Sequence, residues 1–161
     1  QGWVLDGVIS ASVEQAQQLW RLREGITEAV ARYTPYKNDV AVRISRMPAF
    51  LARCQSLIGG AYPHFEVVWF GHIGDGNLQI NVLKPDGLGQ DEFVAQCEQV
   101  TKLLAQVLAE FDGSISAEHG IGLVKKPYLS STRSPVEIAL MQSVKRALDP
   151  QGLLNPGKLF D

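Results

Sequence analysis

Residues 64–84 read HFEVVWFGHIGDGNLQINVLK. Two runs rich in β-branched and aromatic residues, 64–71 and 77–84, have strand character. Between them lies Gly71-His72-Ile73-Gly74-Asp75-Gly76-Asn77, with three glycines in seven residues. Asp-Gly between such runs is a strong signal for a two-residue hairpin loop. A tight hairpin can join only antiparallel strands, so this stretch decides the type of sheet. With Asp75-Gly76 as a type I′ loop, Gly74 faces Asn77, Ile73 faces Leu78 and His72 faces Gln79. Directly opposed residues share a face, and period 2 adds Asn81 to it. Leu78, Ile80 and Val82 take the other, apolar face. The predicted hairpin therefore has a core side and a side carrying His72, Gln79 and Asn81.

Outward from the hairpin, strands alternate with helices. Residues 3–10 and 37–45 read as strands, and 114–117 as a short one. Ser12 caps a helical pattern that runs to about Tyr33, where Pro35 ends it. Met47-Pro48 opens a helix to about Ile58, stopped by Gly59-Gly60. From Asp91 to Phe111, the residues Phe93, Val94, Cys97, Val100, Leu104, Val107, Leu108 and Phe111 form one apolar stripe. Ser134-Pro135-Val136-Glu137 is a capping box with proline at the first helical position, and its helix runs to about Leu148. The sum predicts an α+β fold, an antiparallel sheet with helices packed on one face and ferredoxin-like elements.

The chain has 161 residues, the size of one domain, and needs no disulfide or metal to build a core. Fifteen basic residues against 17 acidic ones give a net charge of -2, which argues against nucleic-acid binding. No apolar run approaches the roughly 20 residues of a membrane span. Cys54 and Cys97 have neither metal-site spacing nor disulfide density, so a reducing, cytoplasmic compartment is expected. The opening Gln1-Gly2-Trp3, with no initiator Met and no leader pattern, leads us to expect a piece of a longer protein.

Two further features carry chemistry. Ser116-Ala117-Glu118-His119-Gly120-Ile121-Gly122 ends a short strand with adjacent acid and imidazole groups. A histidine there can act as a base near neutral pH, and a glutamate can ligate a metal or orient an imidazole. The plainer readings are a solvated hairpin face with a lone histidine, and a capping glutamate beside a surface histidine. Arg23 falls within the apolar sector of the first helix, with Thr27 one turn on at its edge. A buried guanidinium needs a partner. That partner is either internal, such as Glu66, or a carboxylate ligand held in a bidentate fork, with Lys37 adding a second positive charge. A stem lying on apolar surface with its head in water is the third option.

Taken together, these clusters and the tail Leu153-Leu154-Asn155-Pro156-Gly157-Lys158 resemble the C-terminal domain of FAD-linked oxidases of the vanillyl-alcohol oxidase type. The hairpin is similar to that family's GHxGDGNxHxN motif, and 116–122 to its S-x-E-H-G-I-G motif. Arg23-Glu24-Gly25-Ile26-Thr27, Tyr36-Lys37-Asn38-Asp39-Val40 and the tail match three more, in order along nearly the whole chain. The resemblance implies a substrate-side domain that covers a flavin bound mainly by a separate N-terminal FAD domain. It implies oxidation of a D-2-hydroxy acid, such as D-2-hydroxyglutarate, D-lactate or glycolate, to a 2-oxo acid with hydride transfer to the flavin. His119 would be the base. Arg23, Thr27, Lys37, His72 and Asn81 would bind substrate, and Asn155 and Lys158 would lie near FAD. A divalent cation, often zinc, would be held by His72, Glu118 and position 79.

At that last position the sequence departs from the pattern, since Gln79 stands where the family has histidine. A carboxamide oxygen is a harder, weaker ligand than imidazole and a poor match to zinc. The departure also supports an alternative, a non-catalytic α+β binding module that retains the fold.

Overall fold

A computed structural model describes residues 2 and 4–160, leaving Gln1, Trp3 and Asp161 outside it. The chain forms two compact units, one up to Pro35 and one from Tyr36 onward.

The first unit holds α1 (Val13–Glu24) and α2 (Ile26–Ala31). The Ser12 hydroxyl caps α1 by accepting from the Gln15 N–H, as the sequence predicts. The single helix expected over 12–33 is interrupted at Gly25, whose N–H closes the preceding turn onto the Arg21 carbonyl. Glycine has the weakest helix propensity after proline, so a break there costs little. The strand expected over 3–10 is not found. Trp3 lies outside the described residues, and 4–10 pair with no strand among them. Val4, Leu5, Val8 and Ile9 stay exposed, and without a ladder their backbone groups are left to water. Arg23 is exposed as well, with its guanidinium 5.8 Å from the centre of the Trp20 ring. Of the three readings of Arg23, burial against an internal partner such as Glu66 is not observed, and the exposed guanidinium is compatible with a head in water. Leu19, Trp20 and Leu22 are themselves exposed, so the apolar sector of α1 encloses nothing that would bury it.

The second unit contains a three-stranded antiparallel sheet in the order β1-β3-β2: β1 (Tyr36–Ala41), β2 (Val67–His72) and β3 (Asn77–Val82). Its helices are α3 (Met47–Ala61), α4 (Gln90–Glu110), α5 (Leu129–Thr132) and α6 (Pro135–Leu148). Val40 of β1 and Leu78, Ile80 and Val82 of β3 pack with Phe50, Cys54 and Ile58 of α3. The α4 stripe of Phe93, Cys97, Val100, Leu104, Val107 and Leu108 completes this core. Each Val, Leu, Ile or Phe among them contributes about 1.5–3 kcal/mol on burial. Helices thus cover the apolar face of an antiparallel sheet, the α+β arrangement expected. Burial pushes the thiols of Cys54 and Cys97 up to about 12, which makes them core residues and not nucleophiles.

Several boundaries differ from expectation, each for a local reason. Helix α3 runs through Gly59-Gly60 and stops only before Pro63, which drives Tyr62 out of helical geometry. Strand β1 ends at Ala41 and not Ser45, because β3 begins at Asn77 directly opposite and the ladder is exhausted. The expected strand 114–117 is reduced to one bridge, Ser114 to Ala41. Beyond it the backbone N–H groups turn to a side chain. The capping box at Ser134 and Glu137 forms as read.

Candidate functional site

The hairpin loop contains four residues, Ile73–Gly76, and not two. His72 pairs with Asn77, and Phe70 with Gln79, so the register is two residues from the expected one. The cause lies in the turn. The Asp75 carboxylate accepts the Asn77 N–H at 2.9 Å, and the Gly76 carbonyl accepts from Val42 N at 3.1 Å, drawing the loop toward the end of β1. Gly76 has φ +72, and a Cβ there would meet the Val42 carbonyl oxygen at 2.0 Å. At Gly71 a Cβ would meet the Asn77 carbonyl oxygen at 2.2 Å, so this glycine serves strand pairing. A slip of two residues preserves faces. His72, Asn77, Gln79 and Asn81 therefore still share the sheet face turned away from the α3–α4 core, with Asp39 opposite Gln79 and Lys37 opposite Asn81.

Asp39 is the centre of this face, and sequence reasoning gave it no role. Its residue is fully buried. Its Oδ2 accepts the backbone N–H groups of Ala117 at 3.1 Å, Glu118 at 2.9 Å and His119 at 2.9 Å, and the Ser116 hydroxyl at 3.3 Å. Consecutive N–H groups converging on one oxygen form an anion-holding concavity, here filled by the protein's own carboxylate. The Lys125 ammonium lies 3.6 Å from Oδ2 and donates to the Asp39 backbone carbonyl at 2.9 Å. Burial alone would push the Asp39 carboxyl up. The N–H groups of His119 and Glu118 and the charge of Lys125 outweigh it and hold the group below the usual carboxylate range. Burial pulls the Lys125 ammonium down, and Asp39 opposes that. A signal that could have drawn attention to Asp39 is an acid running directly into the apolar stretch Val40-Ala41-Val42 of a strand.

A hydrogen-bond chain leads outward from Asp39. Gln79 donates its amide to Asp39 Oδ1 at 2.9 Å and to Asn77 Oδ1 at 3.4 Å. Asn77 donates to Glu118 Oε1, which lies 3.2 Å from His72 Nδ1. His72 Nδ1 is also 3.8 Å from Asp75 Oδ2. The fold thus brings His72, Gln79, Glu118 and His119 to one place from two separate segments. His119 Nδ1 stands 3.7 Å from Asp39 Oδ2, an electrostatic contact too long for a hydrogen bond. Asn81 is buried, and its Oδ1 has no hydrogen-bond partner.

Ligand atoms of His72, Asp75 and Glu118 lie within 4.8 Å of one another. One imidazole and two carboxylates suit a divalent cation. Gln79 has donated its amide hydrogens, so only its oxygen could serve as a ligand. Asp75 was absent from the expected ligand set, because its sequence role read as turn chemistry.

Arg23 and Thr27 are exposed on α1 and α2 of the first unit. Lys37 is exposed at the start of β1. Asn155 and Lys158 line a cavity of about 340 Å³ with Lys145, Arg146 and Asp149. Asp149 organises that loop, accepting the N–H groups of Leu153 and Leu154 at 2.9 Å each and pairing with Lys145. Lys145 holds the Asp149 carboxyl below its ordinary value. The tail returns to the loop after His119, where Leu159 N donates to the Gly122 carbonyl at 3.2 Å. Among the described residues, no helix is long and apolar enough to cross a membrane.

Comparison with known proteins agrees with the motifs. A D-2-hydroxyglutarate dehydrogenase of Xanthomonas citri pv. viticola is 76% identical over 161 residues, covering 100% of this chain and 34% of that protein. The protein of the same name from Stutzerimonas stutzeri is 53% identical over 160 residues, 99% of this chain and 34% of its own length. The rat D-2-hydroxyglutarate dehydrogenase, mitochondrial, is 38% identical over 159 residues, 98% of this chain and 28% of its length. The chain spans about a third of the length of the curated relatives it matches. The family described as FAD linked oxidases, C-terminal domain, matches residues 1–159, and the chain belongs to that family.

Proposed function

We propose that this chain is the substrate-side domain of an FAD-dependent dehydrogenase that oxidises a D-2-hydroxy acid, D-2-hydroxyglutarate foremost, to the 2-oxo acid. The observation that carries the reading is the meeting of the hairpin with the 116–119 loop. There the imidazoles of His72 and His119 and the carboxylate of Glu118 gather at the end of the sheet face that carries Asp39, Asn77 and Gln79. In this reading His119 takes the hydroxyl proton as the C2 hydride departs. Asn81 and His72 provide further polar contacts to the substrate in this reading. Arg23, Thr27 and Lys37 hold carboxylates, and two cations suit a dicarboxylate better than lactate or glycolate. The relatives' name points the same way.

FAD, when bound, supplies the two-electron acceptor. Most of it would be held by an N-terminal domain of the full-length protein, and Asn155 and Lys158, a carboxamide and an ammonium on an open loop, fit the polar edge of its ring. A divalent cation would be held by His72, Glu118 and Asp75, with the Gln79 oxygen at most an auxiliary ligand, and would supply charge to polarise the substrate. Cys54 and Cys97, both free thiols, favour a reducing, cytoplasmic compartment.

The test is anaerobic mixing of the full-length, flavin-loaded protein with D-2-hydroxyglutarate, D-lactate and glycolate in turn. Bleaching of the flavin absorbance, fastest with D-2-hydroxyglutarate, is expected. No bleaching with any of the three would overturn the reading in favour of a non-catalytic module.

A further inference from the structure

We propose that Asp39 is a positioning residue for His119, fixing the proposed base through its backbone and its ring from a single carboxylate oxygen. The inference rests on the reading of His119 as the base and goes beyond it, because Asp39 itself touches neither substrate nor flavin in that reading.

Segment 116–119 lies outside regular structure, just after the bridge from Ser114 to Ala41. No ladder therefore holds its N–H groups. Three of them, from Ala117, Glu118 and His119, converge on Asp39 Oδ2 within 3.1 Å, and the Ser116 hydroxyl joins them. The loop has borrowed its rigidity from a strand 77 to 80 residues away in sequence. The same oxygen sits 3.7 Å from His119 Nδ1. Root and ring of the imidazole are thus referred to one buried point, leaving Nε2 as the nitrogen not engaged by it. The opposite oxygen, Oδ1, accepts from Gln79 and so carries the alignment to the hairpin. Lys125 supplies the countercharge and grips the Asp39 carbonyl. A neutral side chain at position 39 could not gather this many donors.

Asp39→Asn keeps the size of the side chain but removes the charge and one acceptor. The experiment is a double-mutant cycle in the full-length, flavin-loaded protein, read as the single-turnover rate of flavin bleaching by D-2-hydroxyglutarate. Asp39→Asn is expected to slow bleaching by about 10-fold or more, inside the roughly 10²-fold that a misplacement near 1 Å can cost. Apparent substrate affinity should change by less than about 3-fold. In a His119→Ala background the same substitution should cost less than about 2-fold, because residues that act through one another are not additive. Amide hydrogen exchange should rise at 117–119 and stay unchanged in α3 and α4. An equal loss in both backgrounds, or none in the wild type, would overturn the proposal.

If Asp39→Asn fails to fold with flavin, Lys125→Met enters the same cycle. It should cost about 3-fold or more in the wild type only, and equal losses in both backgrounds again overturn the proposal. Wild-type bleaching is measured first. If no 2-hydroxy acid bleaches the flavin, the functional reading falls on that result, and unchanged exchange at 117–119 in the variant would separately overturn the positioning role.

Discussion

Asp39 Oδ2 and the His119 backbone N–H meet at 2.9 Å across 80 residues of sequence. This one contact stands for a set, since Glu118, Ala117, Ser116 and Lys125 turn to the same carboxylate. Asp39→Ala would leave the N–H groups of Ala117, Glu118 and His119 without their acceptor and the Lys125 ammonium without its countercharge. Truncating one member of a buried ion pair costs about 3–5 kcal/mol, far more than the loss of an ordinary exposed contact. Urea denaturation is expected to show a lower midpoint for Asp39→Ala than for Asp39→Asn, and equal midpoints would refute this account of the site.

His119→Ala removes the proposed base. General base catalysis contributes about 10²–10⁴-fold, so kcat should fall by that range in the full-length enzyme while KM changes less. Steady-state kinetics with D-2-hydroxyglutarate tests this. Wild-type kcat in the variant would move the base elsewhere, with His72 as the next candidate.

Gln79→His should raise zinc affinity by about 10-fold or more, the order of a gained ligand. The structure adds a second effect, because the substitution also severs the bonds from Gln79 to Asp39 and Asn77. Tighter zinc binding should therefore come with a lower melting temperature without metal. Calorimetry on the full-length protein checks both, and nanomolar zinc binding by the wild type would contradict the assignment.

Arg23 is exposed on α1, so its substitution should hardly touch stability. Arg23→Lys is expected to lower kcat/KM for D-2-hydroxyglutarate by about 10-fold or more, the order of one charge-assisted hydrogen bond at about 1.5–3 kcal/mol, with the melting temperature nearly unchanged. Unaltered kinetics would remove Arg23 from the substrate contacts.

Asp149 gives a pH prediction. Its folded carboxyl is held below the ordinary 3.8 by Lys145 and by the Leu154 and Leu153 N–H groups. A depressed acid stabilises the fold fully above its unfolded value, and that contribution is lost as pH falls through the folded one. The difference in denaturant midpoint between wild type and Asp149→Asn should be constant from pH 7 to about 5 and shrink below about 4. A difference that persists unchanged at lower pH would show that the ion pair is not its source.

The legible part of this molecule was written in local chemistry. Ser12, the Ser134–Glu137 box and the α4 stripe each act within one or two turns of their own position. The hairpin faces could be read because alternation survives a slip of two residues, even though the Asx turn at Asp75 lengthened the loop. The strand at 3–10 was misread because alternation cannot reveal whether a neighbouring strand exists. Asp39 escaped for a different reason. Its meaning depends on N–H groups far along the chain, and no periodicity connects them. Only the motif resemblance brought the hairpin and the 116–122 segment into one argument before the geometry joined them.

The distance in sequence between Asp39 and its partners also sets an order of assembly. The β2–β3 hairpin and α4 can form from nearby residues, but an ionised carboxylate cannot leave water alone. Final seating of β1 is therefore expected to follow the arrival of the 116–119 loop and Lys125. Completing the sheet and shaping the His119 loop become a single late event, so a chain that ends before Lys125 would lack the site and a settled first strand together.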